Sequence, residues 1–270
     1  EYWDVVIAGS GPAGLSSALA AAKNGARVIL AEDKSRFGGS LINDDVTIGN
    51  KKGKDWADDT ILQLKSMPNV IVKNRSQVFG YYDHNMMVMV ERTRDHIQNP
   101  SKYTPRQKLW YIRAKQVILS TGSIERPLIF GNNDRPGIML VSAAKEYLKT
   151  YGVLVGKKPI IFSNNDGAYD LAIEFKKNGI NPTVIDVRNN SDGAAVKEAK
   201  NLNIDIKFSH AVANTKGYKK VNSAIIGKLN KEKSGYEKLE NVPCDCICVS
   251  GNWTPTVHLS SQSGNKLKFD

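Results

Sequence analysis

Val5-Val6-Ile7-Ala8-Gly9-Ser10-Gly11-Pro12-Ala13-Gly14-Leu15, followed by Arg27-Val28-Ile29-Leu30-Ala31-Glu32, is the stretch whose reading decides the fold. A short apolar run runs into glycines and then into the alanine-rich segment Leu15 to Lys23, which stops at Asn24-Gly25. A second apolar run follows and ends on an acid. Strand, glycine turn, helix and strand within about thirty residues make a βαβ unit with a right-handed crossover. Gly9-Ser10-Gly11-Pro12-Ala13-Gly14 is a G-x-G-x-x-G placed between strand and helix, the context in which that pattern signifies a dinucleotide. Gly9 is expected to make the tight turn, Gly11 to let backbone approach a pyrophosphate, and Gly14 to let the helix pack closely. The uncapped N–H groups of the helix then face the phosphates. Glu32 stands 18 residues past Gly14, where a carboxylate accepts hydrogen bonds from ribose hydroxyls and repels a 2′-phosphate, so NADP is not expected.

Working outward, Ala57, Ile61 and Leu64 mark a helix face closed by Pro68, and Asn69 to Lys73 resumes a strand. From Gln77 to Gln116 the alternation in Met87-Val88-Met89-Val90 and in Leu109-Trp110-Tyr111-Ile112 predicts an antiparallel meander. Gln116 to Ser120 reads as a separate buried strand. A second strand-helix-strand series then begins near residue 140. Setting Asn24-Gly25 on Asn178-Gly179 gives an offset of 154 residues, which aligns Ile7 with Ile161 and Glu32 with Asp186. The expected fold is α/β: two Rossmann-type domains, the first discontinuous and carrying the meander. Residues 1–130 plus 250–270 form the first domain and residues 131–249 the second. The offset puts Ser163, Asn165 and Ala168 where Gly9, Gly11 and Gly14 stand, and Asp166 adds a carboxylate near the phosphate position. The second copy is therefore expected to bind no dinucleotide.

Composition narrows the classes. A 270-residue chain, 41% hydrophobic and 24% charged, has material for two modest cores. Its formal charge of +11 is scattered, without the aromatic-interleaved stripe of a nucleic-acid binder. No apolar run reaches the ~20 residues of a membrane span, and the first residues lack the regions of a signal peptide, so a cytoplasmic protein is expected. The missing initiator methionine and the immediate first strand suggest a piece of a longer polypeptide. All cysteines lie in Cys244-Asp245-Cys246-Ile247-Cys248, where alternation would put the three on one strand face as buried small side chains rather than metal ligands. The absence of Cys-x-x-Cys removes a redox dithiol. Tyr81, Tyr82, Asp83 and His84 read as turn chemistry rather than an acid/base cluster. His258 reads as a packed, hydrogen-bonded histidine. Arg106, Lys108 and Arg113 read as a solvated or partner-facing strand. No catalytic residue and no metal ligand is expected.

Gly38-Gly39 after the Glu32 strand and Ser120-Thr121-Gly122-Ser123 after a later one resemble the further glycine signatures of flavoproteins with two dinucleotide-binding domains. Where those families carry a flavin-binding Gly-Asp, this chain reads Gly251-Asn252. Phe79-Gly80-Tyr81-Tyr82-Asp83-His84-Asn85, Arg106 to Gln116, Asn133-Asp134-Arg135-Pro136-Gly137 and Trp253-Thr254-Pro255-Thr256-Val257-His258-Leu259 resemble, more closely, the central region of the alpha subunit of heterotetrameric sarcosine oxidase. The resemblance runs nearly end to end. It implies tightly bound NAD here, FAD in a beta subunit, FMN at the alpha/beta interface and tetrahydrofolate on a C-terminal alpha-subunit domain, with gamma and delta subunits completing the complex. The implied activity of that complex is oxidative demethylation of sarcosine to glycine with oxygen and tetrahydrofolate, giving hydrogen peroxide and 5,10-methylenetetrahydrofolate. The implied cofactor contacts are Gly9, Gly11, Pro12, Ala13, Gly14, Glu32, Asp33, Lys34, Gly38, Gly39, Ser40, Val78, Thr121, Gly122, Ser123, Gly251 and Asn252. The alternative is an FAD-containing subunit of a dye-linked amino-acid dehydrogenase.

Overall fold

In the computed structural model, which describes residues 1–268, the opening stretch forms strand β1 (Tyr2–Ala8), helix α1 (Pro12–Lys23) and strand β2 (Val28–Ala31). β1 and β2 are parallel, with Val6 opposite Ile29 and Ile7 opposite Leu30. Both faces of such a strand are covered, so an unbroken apolar run is what it requires. Ile7, Val28 and Leu30 pack under Leu15, Ala18 and Ala22 of α1, while Val6, Ala8, Ile29 and Ala31 fill the core on the other face. Alanines along α1 let it lie close to the sheet. Asn24 ends the helix: its side-chain amide donates to Ala20 O at 2.8 Å, and Gly25 follows at φ +83°.

A small hairpin of β3 (Thr47–Ile48) and β4 (Lys51–Lys52) leads into α2 (Gly53–Lys65), whose Ala57, Ile61 and Leu64 join the α1 core. β5 (Val70–Lys73) then pairs in parallel with β2. The meander is β6 (Ser76–Tyr82), β7 (Met86–Arg92) and β8 (Gln107–Leu119), all antiparallel neighbours. Here the structure corrects the sequence reading. The meander strand and the buried strand at Gln116 are one 13-residue strand, β8, which pairs with β7 through Arg113 and runs parallel to β1 from Arg113 onward. One six-stranded sheet results, in the order β5-β2-β1-β8-β7-β6. No glycine or proline interrupts residues 107–119, so the change from alternating to continuous apolarity marks a change of environment, not a strand end. Between β6 and β7, His84 and Asn85 adopt φ +57° and +54°, and the Tyr81 hydroxyl donates to Asn85 Oδ1 at 2.7 Å. The Tyr-Tyr-Asp-His cluster is a hairpin turn.

The chain leaves this unit in β9 (Ser123–Glu125) and forms a second one. β10 (Ile138–Leu140), α3 (Val141–Tyr151), β11 (Pro159–Ser163), α4 (Tyr169–Lys177), β12 (Thr183–Asp186), α5 (Ala194–Asn201) and β13 (Asp205–Phe208) come first. An antiparallel sheet of β14 (His210–Lys216), β15 (Ser223–Leu229) and β16 (Tyr236–Pro243) follows. β17 (Cys246–Ser250) completes the parallel sheet, ordered β10-β17-β11-β12-β13, before β18 (Trp253–Pro255) and α6 (His258–Gln262). Ile160 stands opposite Thr183 and Ile161 opposite Val184, the β1–β2 register displaced by 154 residues. The helix ends the same way too, with Asn178 Nδ2 donating to Glu174 O at 2.9 Å and Gly179 at φ +78°.

The contacts divide the chain into Glu1–Ser123 with the stretch from Pro255 on, and Ile124–Thr254. The junctions fall seven residues earlier and five later than the sequence suggested. Phe130 packs edge-on against Phe162 in the second core, and Gly251 N donates to Arg126 O at 2.6 Å, so both flanks belong to the second unit. Cys246 and Cys248 share one face of β17, but Cys244 lies in the opposite core, because Asp245 ties the chain to the Lys157 and Lys158 amides just before the strand begins. His258 is exposed at the start of α6, and the neighbouring Leu259 takes the buried place expected for the histidine. Among the described residues no helix is long and apolar enough to cross a membrane.

Candidate functional site

The glycine loop of the first unit separates three steric demands. A Cβ on Gly9, which sits at φ +101°, would lie 2.3 Å from Ser120 O. One on Gly14 would lie 1.9 Å from Gly9 O. Both positions must be glycine for the turn to close and the helix to pack. A Cβ on Gly11, by contrast, would meet nothing within 4 Å. Gly11 is the N-cap of α1, without a side-chain cap, with Pro12 next and no acidic residue in the first turn. The loop is thus closed from below and open above the helix tip, the shape a pyrophosphate needs. Pro12 and Ala13 are exposed there.

A second glycine loop closes on the first. Gly38 N donates to Ser10 O at 3.0 Å, and a Cβ on Gly39, at φ +57°, would lie 2.9 Å from Gly11 Cα. Ser40 is exposed on the short helical turn that follows. Ser10 is fully buried, and its backbone N–H and hydroxyl both donate to Glu32 Oε2, at 3.0 and 2.5 Å. Glu32 Oε1 accepts from Lys34 N at 3.0 Å. The carboxylate is 7% exposed and retains acceptor capacity on Oε1 for a ribose hydroxyl. Beyond it, Asp33, Lys34, Ser35, Arg75, Arg92, Asp95 and His96 line a pocket of about 300 Å³. Sequence reading missed Arg75, Arg92 and His96, which reach this pocket only through the pairing of distant segments. Arg75 N donates to Lys34 O and Arg92 N to Arg75 O, both at 2.9 Å.

The remaining sequence-predicted residues are placed as follows. Thr121 Oγ1 donates to Thr256 O at 2.8 Å and Thr256 N to Gly122 O at 2.9 Å, so this glycine turn, with Gly122 at φ +68°, is pinned beside the end of β8. Ser123 is the last residue of the first unit's opening segment. Val78 lies in β6, half-buried against the core shared with Val6 and Ala8. Gly251 and Asn252 belong to the second unit. A Cβ on Gly251 would come within 2.9 Å of Arg126 O, and Asn252, at φ +89°, accepts Arg126 N through its carbonyl.

The second copy has the same frame with its openings filled. Asp186, the counterpart of Glu32, is fully buried and accepts from the Tyr169 hydroxyl at 2.7 Å and from Arg188 Nη2 at 2.7 Å, Nε at 3.0 Å and backbone N at 2.9 Å. Burial and the bond to Asp186 push the Tyr169 hydroxyl well above its ordinary pKa, so it stays a donor. Arg188 Nη1 also donates to Asp166 Oδ1 at 2.7 Å, as does Ser191 Oγ at 2.9 Å. Burial alone would raise the Asp166 carboxyl, but these partners outweigh it and hold the group below its usual range. Asn165 Nδ2 donates to Ser250 Oγ at 3.0 Å.

The two-domain frame finds its counterpart among known proteins. The model of the pyridine nucleotide-disulphide oxidoreductases matches residues 3–268. The chain belongs to this family. It is 39% identical over 265 residues to the sarcosine oxidase subunit alpha of Rhizobium meliloti (strain 1021), covering 98% of this chain and 26% of that protein. Against the sarcosine oxidase subunit alpha of Corynebacterium sp. (strain P-1) it is 36% identical, covering 100% of this chain and 28% of the relative. The chain thus spans about a quarter of these relatives' length. Thioredoxin reductase of T. acidophilum superposes with a TM-score of 0.76 at 18% identity, covering 99% of this chain and 82% of that one, which is a likeness of fold. The three cysteines are all free and buried. Burial, with Cys246 and Asp245 adding to it, pushes the Cys244 thiol up to about 12. Cys248 is raised by its contact with Cys246, Sγ to Sγ 3.7 Å, and by complete burial.

Proposed function

We propose that the first unit is a resident NAD site within the alpha subunit of a sarcosine oxidase-type complex, and that this segment performs no amine oxidation itself. The observation that carries the reading is the contrast between the two copies: open backbone over Gly11, and a saturated acid at Asp186. The diphosphate would rest on the N–H groups of α1 and against the Gly38-Gly39 loop, with Glu32 accepting from the adenosine ribose and Asp33 and Lys34 beyond it. Val78 and the Thr121 to Ser123 turn are proposed as further contacts. NAD would supply hydride-transfer chemistry when bound. The second copy is proposed to bind no dinucleotide.

The sarcosine oxidase alpha subunits named above suggest the rest. In the complete complex, sarcosine would be demethylated oxidatively at FAD in a beta subunit, and electrons would pass through FMN at the alpha/beta interface to oxygen. The one-carbon unit would go to tetrahydrofolate on another alpha-subunit domain, and gamma and delta subunits would complete the assembly in the cytoplasm. The test is to purify the protein, denature it and identify the released small molecule by mass spectrometry, beside a visible spectrum of the native form. NAD and a colourless protein are expected. A yellow protein releasing FAD would replace this reading with that of a flavin-bearing dehydrogenase subunit, and release of no nucleotide would overturn the cofactor reading altogether.

A further inference from the structure

Three cations, Lys34, Arg75 and Arg92, line the pocket immediately beyond Glu32. An arginine or lysine just past the second strand of a dinucleotide fold is the feature that accepts a 2′-phosphate, and an acid at the strand end is the feature that rejects one. This site holds both. Arg75 is kept in place by an unusual backbone, φ +50°, bonded to Lys34 O on one side and to Arg92 N on the other. Arg92 donates to Asp33 O. Arg75 is half-buried, while Lys34 and Arg92 reach the pocket from exposed positions. The opposing carboxylate is held firmly. Ser10, buried in the glycine loop, holds Glu32 Oε2 through two donors, and its hydroxyl also lies 3.3 Å from Gly38 N.

We infer that Ser10 is a positioning residue for cofactor selectivity: by holding the Glu32 carboxylate at the end of β2, next in the chain to the pocket, it suppresses a latent 2′-phosphate subsite formed by Lys34, Arg75 and Arg92. The inference rests on the dinucleotide reading of the first unit. The charges in the pocket wall do not decide the matter, because Asp33 and Asp95 oppose the three cations and Asp95 is itself paired with Arg106. The decision falls to the one carboxylate that faces the ribose.

The experiment titrates the nucleotide-free protein with NAD and NADP, and with AMP and 2′-phosphorylated AMP as short probes, for the wild type, Ser10→Ala and Glu32→Gln. The wild type is expected to prefer the ligand without the 2′-phosphate. Ser10→Ala and Glu32→Gln should each shift the ratio of dissociation constants toward the phosphorylated ligand by about tenfold or more, as for loss of a single charge-assisted contact. Adding Arg75→Ala and Arg92→Ala to either variant should abolish that shift. A purely structural role for Ser10 would weaken all ligands alike and leave the ratio unchanged, which would overturn the inference. A shifted ratio that survives loss of both arginines would overturn the subsite. A wild type that binds none of the four ligands would sink the dinucleotide reading itself, and the inference with it.

Discussion

Gly11 and Asn165 occupy equivalent places in two copies of one frame, and the difference between them is one of free volume. Above Gly11 a side chain would meet only solvent, so Gly11→Asp should fold normally while placing a carboxylate where a diphosphate needs the helix tip. Nucleotide retention should be lost, and the melting temperature should fall only to that of the nucleotide-free protein. Asn165 already bonds to Ser250 Oγ in a crevice closed by Arg188, so Asn165→Asp should leave retention intact. Nucleotide content after gel filtration, with a melting curve for each variant, checks both. Equal loss of nucleotide from the two would contradict the asymmetry. At this scale the sequence was most legible: G-x-G-x-x-G and Glu32 are local in the chain. Arg75, Arg92 and Ser10's grip on Glu32 were not, because pairings across 22 to 59 residues leave no local pattern.

The helices α1 and α4 stop by the same device, an asparagine amide on the carbonyl four residues back followed by a glycine in left-handed backbone. No atom lies within 4 Å of a Cβ built on either glycine, so space is not what selects the residue. Gly25→Ala and Gly179→Ala should therefore each cost about 1–2 kcal/mol from backbone strain alone, and by similar amounts, as denaturant titration of each variant would measure. A cost confined to one position would show that the two ends differ in a way their geometry does not reveal. The capping pair Asn-Gly was readable in sequence, and it supplied the 154-residue offset whose register the strands reproduce. β8 was not readable as one strand. Its first half faces antiparallel β7 and its second half parallel β1, and hydrophobic periodicity reports the surroundings of a strand, not its continuity.

Each unit has its own core on both faces of its main sheet, so each has the means to unfold as a separate cooperative block. A ligand that binds one block stabilises that block by mass action, ~2.7 kcal/mol at a hundredfold excess over its dissociation constant. Hydrogen exchange with and without NAD should accordingly show slowed exchange within residues 1–123 and little change within 124–254. Protection confined to the second range would place the nucleotide in the wrong copy.

The amino-acid sequence by itself determined the two βαβ frames, their repeat, the open glycine loop of the first copy and the loss of its glycines in the later one. All of these rest on steric and periodic rules that act within a few residues. Only the tertiary structure decided where the units divide, which side chains surround Glu32, and how the later crevice is closed. Those outcomes depend on which distant segments come into hydrogen-bonding reach. Arg188 fills the space around Asp186 because the fold brings Asp166, Tyr169 and Ser191 to the same point, and nothing in the local spelling of any of the five residues states that they meet.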